Sequence, residues 1–252
     1  MRITVKGITF SYNSAPILDN VNFSLESGQI LSILGPNGSG KTTLLKVLAS
    51  ILSPKNGAVF LDGKNLAEIS LSGKAKIIGY VPQRSEGFNT SVFEAVLSGR
   101  KPHVHFRIKK EDIQITERVI NVMGLSHLKS KSIMRISGGE FQKVIIARAL
   151  AQNPKVLLLD EPLTYLDIKN QFEMASLISK ATKELHLITV FVLHDINLAL
   201  RYSDVFLFLK EGRIEAFGGK EIISSEIIMK VFGIDVEIKE MMGSPYVLIK
   251  NG

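Results

Sequence analysis

Apolar positions follow two different rhythms along this chain. The first segment, RITVKGITF, alternates polar and apolar residues, which is the period of a half-buried strand and not of a signal peptide. ILDNVNFSL and QILSIL continue as short β-like runs, with Asn13, Ser14 and Gly28 as turn residues between them. TTLLKVLASIL, at 42–52, shifts to helical spacing, and GAVFLDG and KIIGYVP return to strands. From about 84 to 150 the pattern is mostly helical, in SVFEAVLSGR, EDIQITERVINVMGL and GGEFQKVIIARALAQ. From Val156 onward, unbroken apolar runs of strand length (VLLLD, LITVFVL, VFLFLK) alternate with helical segments. Such alternation predicts an α/β fold with a mostly parallel sheet covered by helices on both faces. We expect one domain, with 84–150 as an inserted helical lobe and a small strand-and-helix cap in the roughly 40 residues after Gly212.

Composition narrows the chemistry. The most apolar segment, LHLITVFVL at 185–193, is far short of the ~20 residues needed to cross a bilayer, so membrane association is expected to run through a partner. The absence of cysteine excludes disulfides, thiol catalysis and Cys-ligated metal sites. Lys and Arg outnumber Asp and Glu by 31 to 24, a net charge of +7. A basic surface suits nucleic acid, or else nucleotide and an anionic membrane leaflet. The charges are scattered apart from RKPHVHFRIKK at 100–110, which reads as a solvated loop, and no nucleic-acid partner is expected.

GPNGSGKTT at 35–43 supplies the first specific chemistry. Gly35, Gly40, Lys41 and Thr42 fit the spacing of a phosphate-binding loop, with a strand before and a helix after. Glycines let the backbone across Gly35, Pro36, Asn37, Gly38, Ser39 and Gly40 curl so that N–H groups, through Thr42 and Thr43, point at phosphate oxygens. The positive end of the following helix dipole points the same way. Lys41 should reach the β- and γ-phosphates, and the Thr42 hydroxyl should hold Mg²⁺.

VLLLDEP at 156–162 is a buried strand ending in two carboxylates. Ligands of α/β sheets gather at the carboxyl ends of strands, so both groups should meet the phosphates. Asp160 would orient Mg²⁺, and Glu161 is placed to act as general base on the attacking water.

RISGGEFQKVIIARALAQNP at 135–154 sets this chain apart from other nucleotide hydrolases. Ser137 is a good helix N-cap, and Gly138 and Gly139 let backbone N–H groups approach an anion with no Cβ in the way. The result is a second phosphate-binding surface, and one ATP cannot readily use both within one chain. The segment resembles the signature of the ABC ATPase family, and the resemblance extends over essentially the whole chain. It implies a P-loop NTPase core with an N-terminal antiparallel β subdomain (RecA-like core, 1–83 and 151–252) and a helical signature lobe at 84–150. It also implies ATP and Mg²⁺ as cofactors, and a homodimer in which Ser137, Gly138, Gly139 and Glu140 close on ATP held by the second copy. Tyr12, 23 residues before Gly35, matches the aromatic that stacks on adenine. Gln83 matches the glutamine that touches Mg²⁺ and the water, and Asp167, in TYLD, the aspartate that communicates across the dimer. His194, 34 residues past Asp160, matches the histidine that contacts the γ-phosphate. Leu163 stands where the family commonly has Thr, and Lys143 where it usually has Arg, without the planar guanidinium fork.

VFEAVLSGRKPH at 92–103, HDINLALRYSD at 194–204 and VFGIDVEI at 231–238 resemble ATPases of importers for iron–siderophore, haem and cobalamin. That likeness implies transmembrane permease subunits, an extracytoplasmic binding protein acting indirectly, and a position at the cytoplasmic face of the membrane, with 100–110 near the permease. Molybdate or another metal is the next substrate class. A soluble ABC ATPase of iron–sulfur cluster assembly is the alternative from a different class.

Overall fold

The computed structural model describes residues 1–250 apart from Ser14, Glu86, Phe88, His105 and Met242. Ser14, expected in a turn, and His105, within the basic cluster, therefore lie outside the described residues. The chain opens with β1 (Arg2–Phe10) and β2 (Leu18–Glu26), then β3 (Ile30–Leu34) and α1 (Lys41–Leu48). β4 (Asn56–Leu61), β5 (Lys64–Asn65), α2 (Leu71–Ile77) and β6 (Ile78–Val81) follow. Three helices come next, α3 (Val92–Leu97), α4 (Lys110–Val122) and α5 (Gly138–Ala151), before β7 (Val156–Asp160). The remainder is α6 (Ile168–Glu184), β8 (Ile188–Val192), α7 (Ile196–Tyr202), β9 (Val205–Lys210), β10 (Arg213–Gly218), α8 (Ser225–Phe232), β11 (Val236–Met241) and β12 (Ser244–Ile249).

An antiparallel sheet of order β2-β1-β4-β5 packs beside a six-stranded sheet of order β10-β9-β3-β8-β7-β6. In the larger sheet β9, β3, β8, β7 and β6 are parallel, and β10 pairs antiparallel with β9. The unbroken apolar runs have a simple cause: both faces of this sheet are buried, so alternate residues serve different cores. Val156, Leu158, Val190 and Leu207 face one side, with α1 and the antiparallel sheet. Leu157, Leu159, Phe191 and Phe206 face the other, with residues of α3 to α8. Helices and an N-terminal antiparallel β subdomain were both expected, and the first face is shared between α1 and that small sheet. At a fully buried site such as Leu158, truncation to Ala should cost about 2–5 kcal/mol.

Two expectations are corrected. Lys76 and Ile77 belong to α2 and not to the strand at KIIGYVP, and α2 itself gave no signal because none of its residues is fully buried. The basic cluster is not uniformly a solvated loop. Its first residues, within Ser98–His103, form a short 3₁₀ helix in which Arg100 is buried against Asp112. No helix among the described residues is long and apolar enough to cross a membrane. For the chemistry, the important consequence is that β3, β8, β7 and β6 run parallel side by side. Their carboxyl ends lead to Gly35, His194, Glu161 and Gln83 along one edge of the sheet.

Candidate active site

After Leu34 the chain curls through Gly35–Gly40 into α1. A Cβ on Gly35 would lie 2.1 Å from the Leu209 carbonyl oxygen, and one on Gly40, at φ 102°, would lie 2.8 Å from that of Ile17. Only glycine fits either place. Gly40 caps α1 with no side-chain bond, so the helix presents its first N–H groups to the cleft. Lys41 is buried, and its Nζ donates to the carbonyls of Gly35 (2.8 Å) and Pro36 (2.9 Å). Burial lowers its pKa, and the charges of Glu161 and Asp160 oppose that fall. Ser39 Oγ is buried without a partner among the described residues. An ammonium resting on its own loop and an orphaned hydroxyl are donors suited to phosphate oxygens. Asn37, Gly38, Thr42, Thr43 and Glu161 line the same cleft. Tyr12 does not line it; the residue is 56% exposed and its ring stands edge-on to Phe10, 4.9 Å between centroids.

The two carboxylates diverge in environment. Asp160 is 1% exposed and accepts from Thr42 Oγ1 (3.0 Å) on Oδ1 and from Tyr80 OH (3.4 Å) on Oδ2. Burial raises its pKa, with the Thr42 bond acting against the rise. The Tyr80 phenol is pushed above its usual range by burial first and by Asp160 second, so it stays a neutral donor. Glu161 has left-handed backbone, φ 50°, uncommon for a residue with a Cβ. Its carboxylate is gripped from two neighbouring strand ends. Gln83 Nε2 donates to Oε2 at 2.6 Å, and His194 Nε2 lies 2.8 Å from Oε1. Thr164 Oγ1 adds a longer bond of 3.3 Å to Oε2. Glu161, Gln83 and His194 thus meet at one carboxylate.

The Ser-Gly-Gly loop is built differently. Ser137 Oγ accepts from Glu140 N (3.3 Å), while Glu140 Oε2 accepts from Ser137 N and Oγ (both 2.8 Å), a reciprocal cap on α5. Among the described residues nothing stands within 4 Å of where a Cβ of Gly138 would be, so that position is open. Asp167 caps α6 through Oδ1, accepting from Asn170 N at 2.8 Å. Among the described residues, none of the side-chain hydrogen bonds of Ser137, Glu140 or Asp167 reaches Lys41, Asp160, Glu161 or His194.

The family model of the ABC transporter matches residues 18–164, more than half of the chain. The chain belongs to the ABC transporter family. An uncharacterized ABC transporter ATP-binding protein of Methanocaldococcus jannaschii is 46% identical over 98% of both chains. The petrobactin import ATP-binding protein of Bacillus anthracis is 36% identical over 97% of this chain and 91% of its own length. Among solved structures, an ABC transporter of metal-chelate type in an inward-facing conformation aligns with TM-score 0.85 and 30% identity, covering 99% of this chain and 97% of that one.

The protein is thus an ABC ATPase, and its reaction is the hydrolysis of ATP. Three residues of this ABC site escaped the sequence reading. Tyr80 reaches Asp160 because β6 pairs with β7, Tyr80 opposite Leu158. Thr164 supplies the hydroxyl next to Leu163, which is itself buried. Ile17 walls the cleft beside Gly40. The signal for Tyr80 was its place three residues before Gln83 in a strand leading into the site.

Proposed function

We propose that this chain is the ATP-hydrolysing subunit of an importer of metal chelates, of the iron–siderophore, haem or cobalamin class. It works as a head-to-tail homodimer beneath permease subunits at the cytoplasmic face of the membrane, with an extracytoplasmic binding protein delivering the cargo. The observation that carries this reading is the Glu161 carboxylate, held between Gln83 and His194 beside a phosphate loop that, among the described residues, no side-chain hydrogen bond of the same chain's Ser137 or Glu140 reaches. A site with every group for hydrolysis and a detached second phosphate surface is half of a shared site. The petrobactin importer subunit and the metal-chelate-type neighbour match along nearly the full chain, which supports the substrate class.

In this reading Glu161 polarises the attacking water, Gln83 and His194 orient the carboxylate and face the γ-phosphate, and Lys41 meets the β- and γ-phosphates. Residues Gly35 to Thr43 cradle the phosphates and Tyr12 stacks on adenine. Thr42, Asp160 and the amide oxygen of Gln83 are hard oxygen donors of the kind Mg²⁺ takes, and Thr42 Oγ1 already lies 3.0 Å from Asp160 Oδ1. When bound, Mg²⁺ would neutralise charge on the transferring phosphoryl group. Ser137, Gly138, Gly139 and Glu140, with Asp167, close over the partner's ATP. Residues 84–150 form the lobe that carries the signature loop and passes its motion to the permease; 1–83 and 151–252 form the core. Glu161→Gln tests the reading. It should bind ATP with unchanged affinity, hydrolyse at least ~10²-fold more slowly, as loss of a positioned general base does, and accumulate as an ATP-bound dimer. Parent-level turnover, or an ATP-bound monomer, would refute it. Co-purification of a polytopic permease from detergent-solubilised membranes checks the partner; soluble partners alone would point to cluster assembly instead.

A further inference from the structure

In the proposed dimer two surfaces of each chain turn toward the partner's nucleotide, the Ser137–Glu140 loop and the turn at Asp167. One side chain, Asn170, lies between them. Its Nδ2 donates to Asp167 Oδ2 at 2.7 Å. A Cβ built on Gly139 would lie 3.4 Å from both Cγ and Nδ2 of Asn170, so the amide faces the glycine of the loop across a gap that a single Cβ would fill in ordinary contact. One turn further along the same α5–α6 seam, Lys143 Nζ meets Glu173 Oε1 at 2.6 Å, with Lys143 only 14% exposed. The helix cap does not need the Asn170 amide, because Asp167 Oδ1 already takes the Asn170 backbone N–H at 2.8 Å. The amide's work is therefore elsewhere. With Oδ1 held by the backbone and Oδ2 by the side chain, the plane of the Asp167 carboxylate is fixed, and the group that fixes it faces Gly139.

We propose that Asn170 is a positioning residue that locks the Asp167 turn to the signature loop, so that both meet the partner's ATP as one preformed surface. The inference rests on the shared-site reading above. Without the lock, each half-site would bind its own ATP as before, but closing the dimer would have to order two independent loops, and association would weaken.

The test uses the full chain in the Glu161→Gln background, where closed dimers accumulate. A fluorescent ATP analogue reads the affinity of the monomer, sedimentation velocity reads ATP-dependent dimerisation, and a thermal melt reads stability. For Asn170→Ala we expect nucleotide affinity within about twofold, a melting temperature within a few degrees, and a dimer dissociation constant raised about tenfold or more. Asn170→Asp keeps the shape against Gly139 but sets a carboxylate against Asp167, and should weaken the dimer at least as much. Asn170→Gln retains an amide donor and should recover part of the loss. Dimerisation of Asn170→Ala or Asn170→Asp as tight as in the background protein would overturn the proposal. So would a loss of dimer that merely follows a fall in melting temperature. If Glu161→Gln alone fails to dimerise on ATP, the shared-site reading fails first and the lock with it; a background that dimerises normally isolates the failure to Asn170.

Discussion

Asp160 and Glu161 show how single residues carry the cost of this site. Asp160 is buried with its pKa raised, chiefly by desolvation. A carboxyl whose folded-state pKa lies above its unfolded value favours the unfolded chain as pH climbs past the unfolded value, and the penalty stands in full above the folded one. In the nucleotide-free protein burial therefore works against the charge that the chemistry requires. Asp160→Asn removes the charge and keeps an acceptor for Thr42. It should raise the melting temperature of the nucleotide-free protein at pH 7, by about 2–4 °C for each kcal/mol recovered in a chain of this size, while abolishing metal-dependent hydrolysis. The gain should shrink as pH falls toward the usual carboxylate range. A variant less stable than the parent at pH 7 would show that Asp160 is stabilised by its partners more than burial penalises it. Thr42 was legible from the spacing of its phosphate-loop motif and Asp160 from its place at the end of an apolar strand, while Gln83 and His194, each just past a strand, were picked out by the resemblance to the family. Tyr80, Thr164 and Asn170 were not, because their partners are set by strand register and helix packing, which no local string of residues encodes.

Elements were legible to the extent that burial imposes a period. VLLLD, LITVFVL and VFLFLK announced buried strands, and Ser137, as a helix N-cap, announced the start of α5. The segment at 98–103 did not declare itself, since a run of basic residues usually means water. What reverses that expectation is Asp112, twelve positions away in α4. Arg100 Nε donates to its Oδ1 at 2.9 Å with both side chains 6% exposed, and Arg100 also donates to the carbonyl of Ala151 at the end of α5. His103 Nε2 reaches the next carbonyl, that of Gln152, at 2.8 Å. The segment therefore ties the start of α4 to the end of α5. Breaking such a pair strands a charge in the interior, so Asp112→Ala should cost about 3–5 kcal/mol in denaturant unfolding, while replacing both partners by apolar residues of similar volume should recover most of it. A cost below about 1 kcal/mol for the single variant would mean that water reaches Arg100 after all.

At the scale of the whole molecule, strand order was the least legible feature. β3 lies between β8 and β9, and β6, earlier in sequence than either, sits at the edge beyond β7. Those crossovers bring Gly35, His194, Glu161 and Gln83 to a common edge, yet among the described residues no side-chain hydrogen bond of Ser137 or Glu140, at the start of α5, reaches that edge. The proposed two-fold dimer would resolve this separation, because a self-complementary interface would set each chain's loop over the other's phosphates. The consequence can be tested by mixing two dead proteins. Lys41→Ala spoils the phosphate loop and keeps the Ser137 loop; Ser137→Arg does the reverse, and each should hydrolyse ATP poorly alone. In a heterodimer one of the two sites combines the intact phosphate loop of one chain with the intact Ser137 loop of the other. A one-to-one mixture forms heterodimers in about half of its dimers, each with one sound site, so independent sites would return up to about a quarter of the parental rate. The rate should rise from near zero as the second variant is added and peak near equal amounts. A hydrolysis site confined to one chain predicts no recovery at any ratio, since each variant would carry its own defect into every dimer it joins.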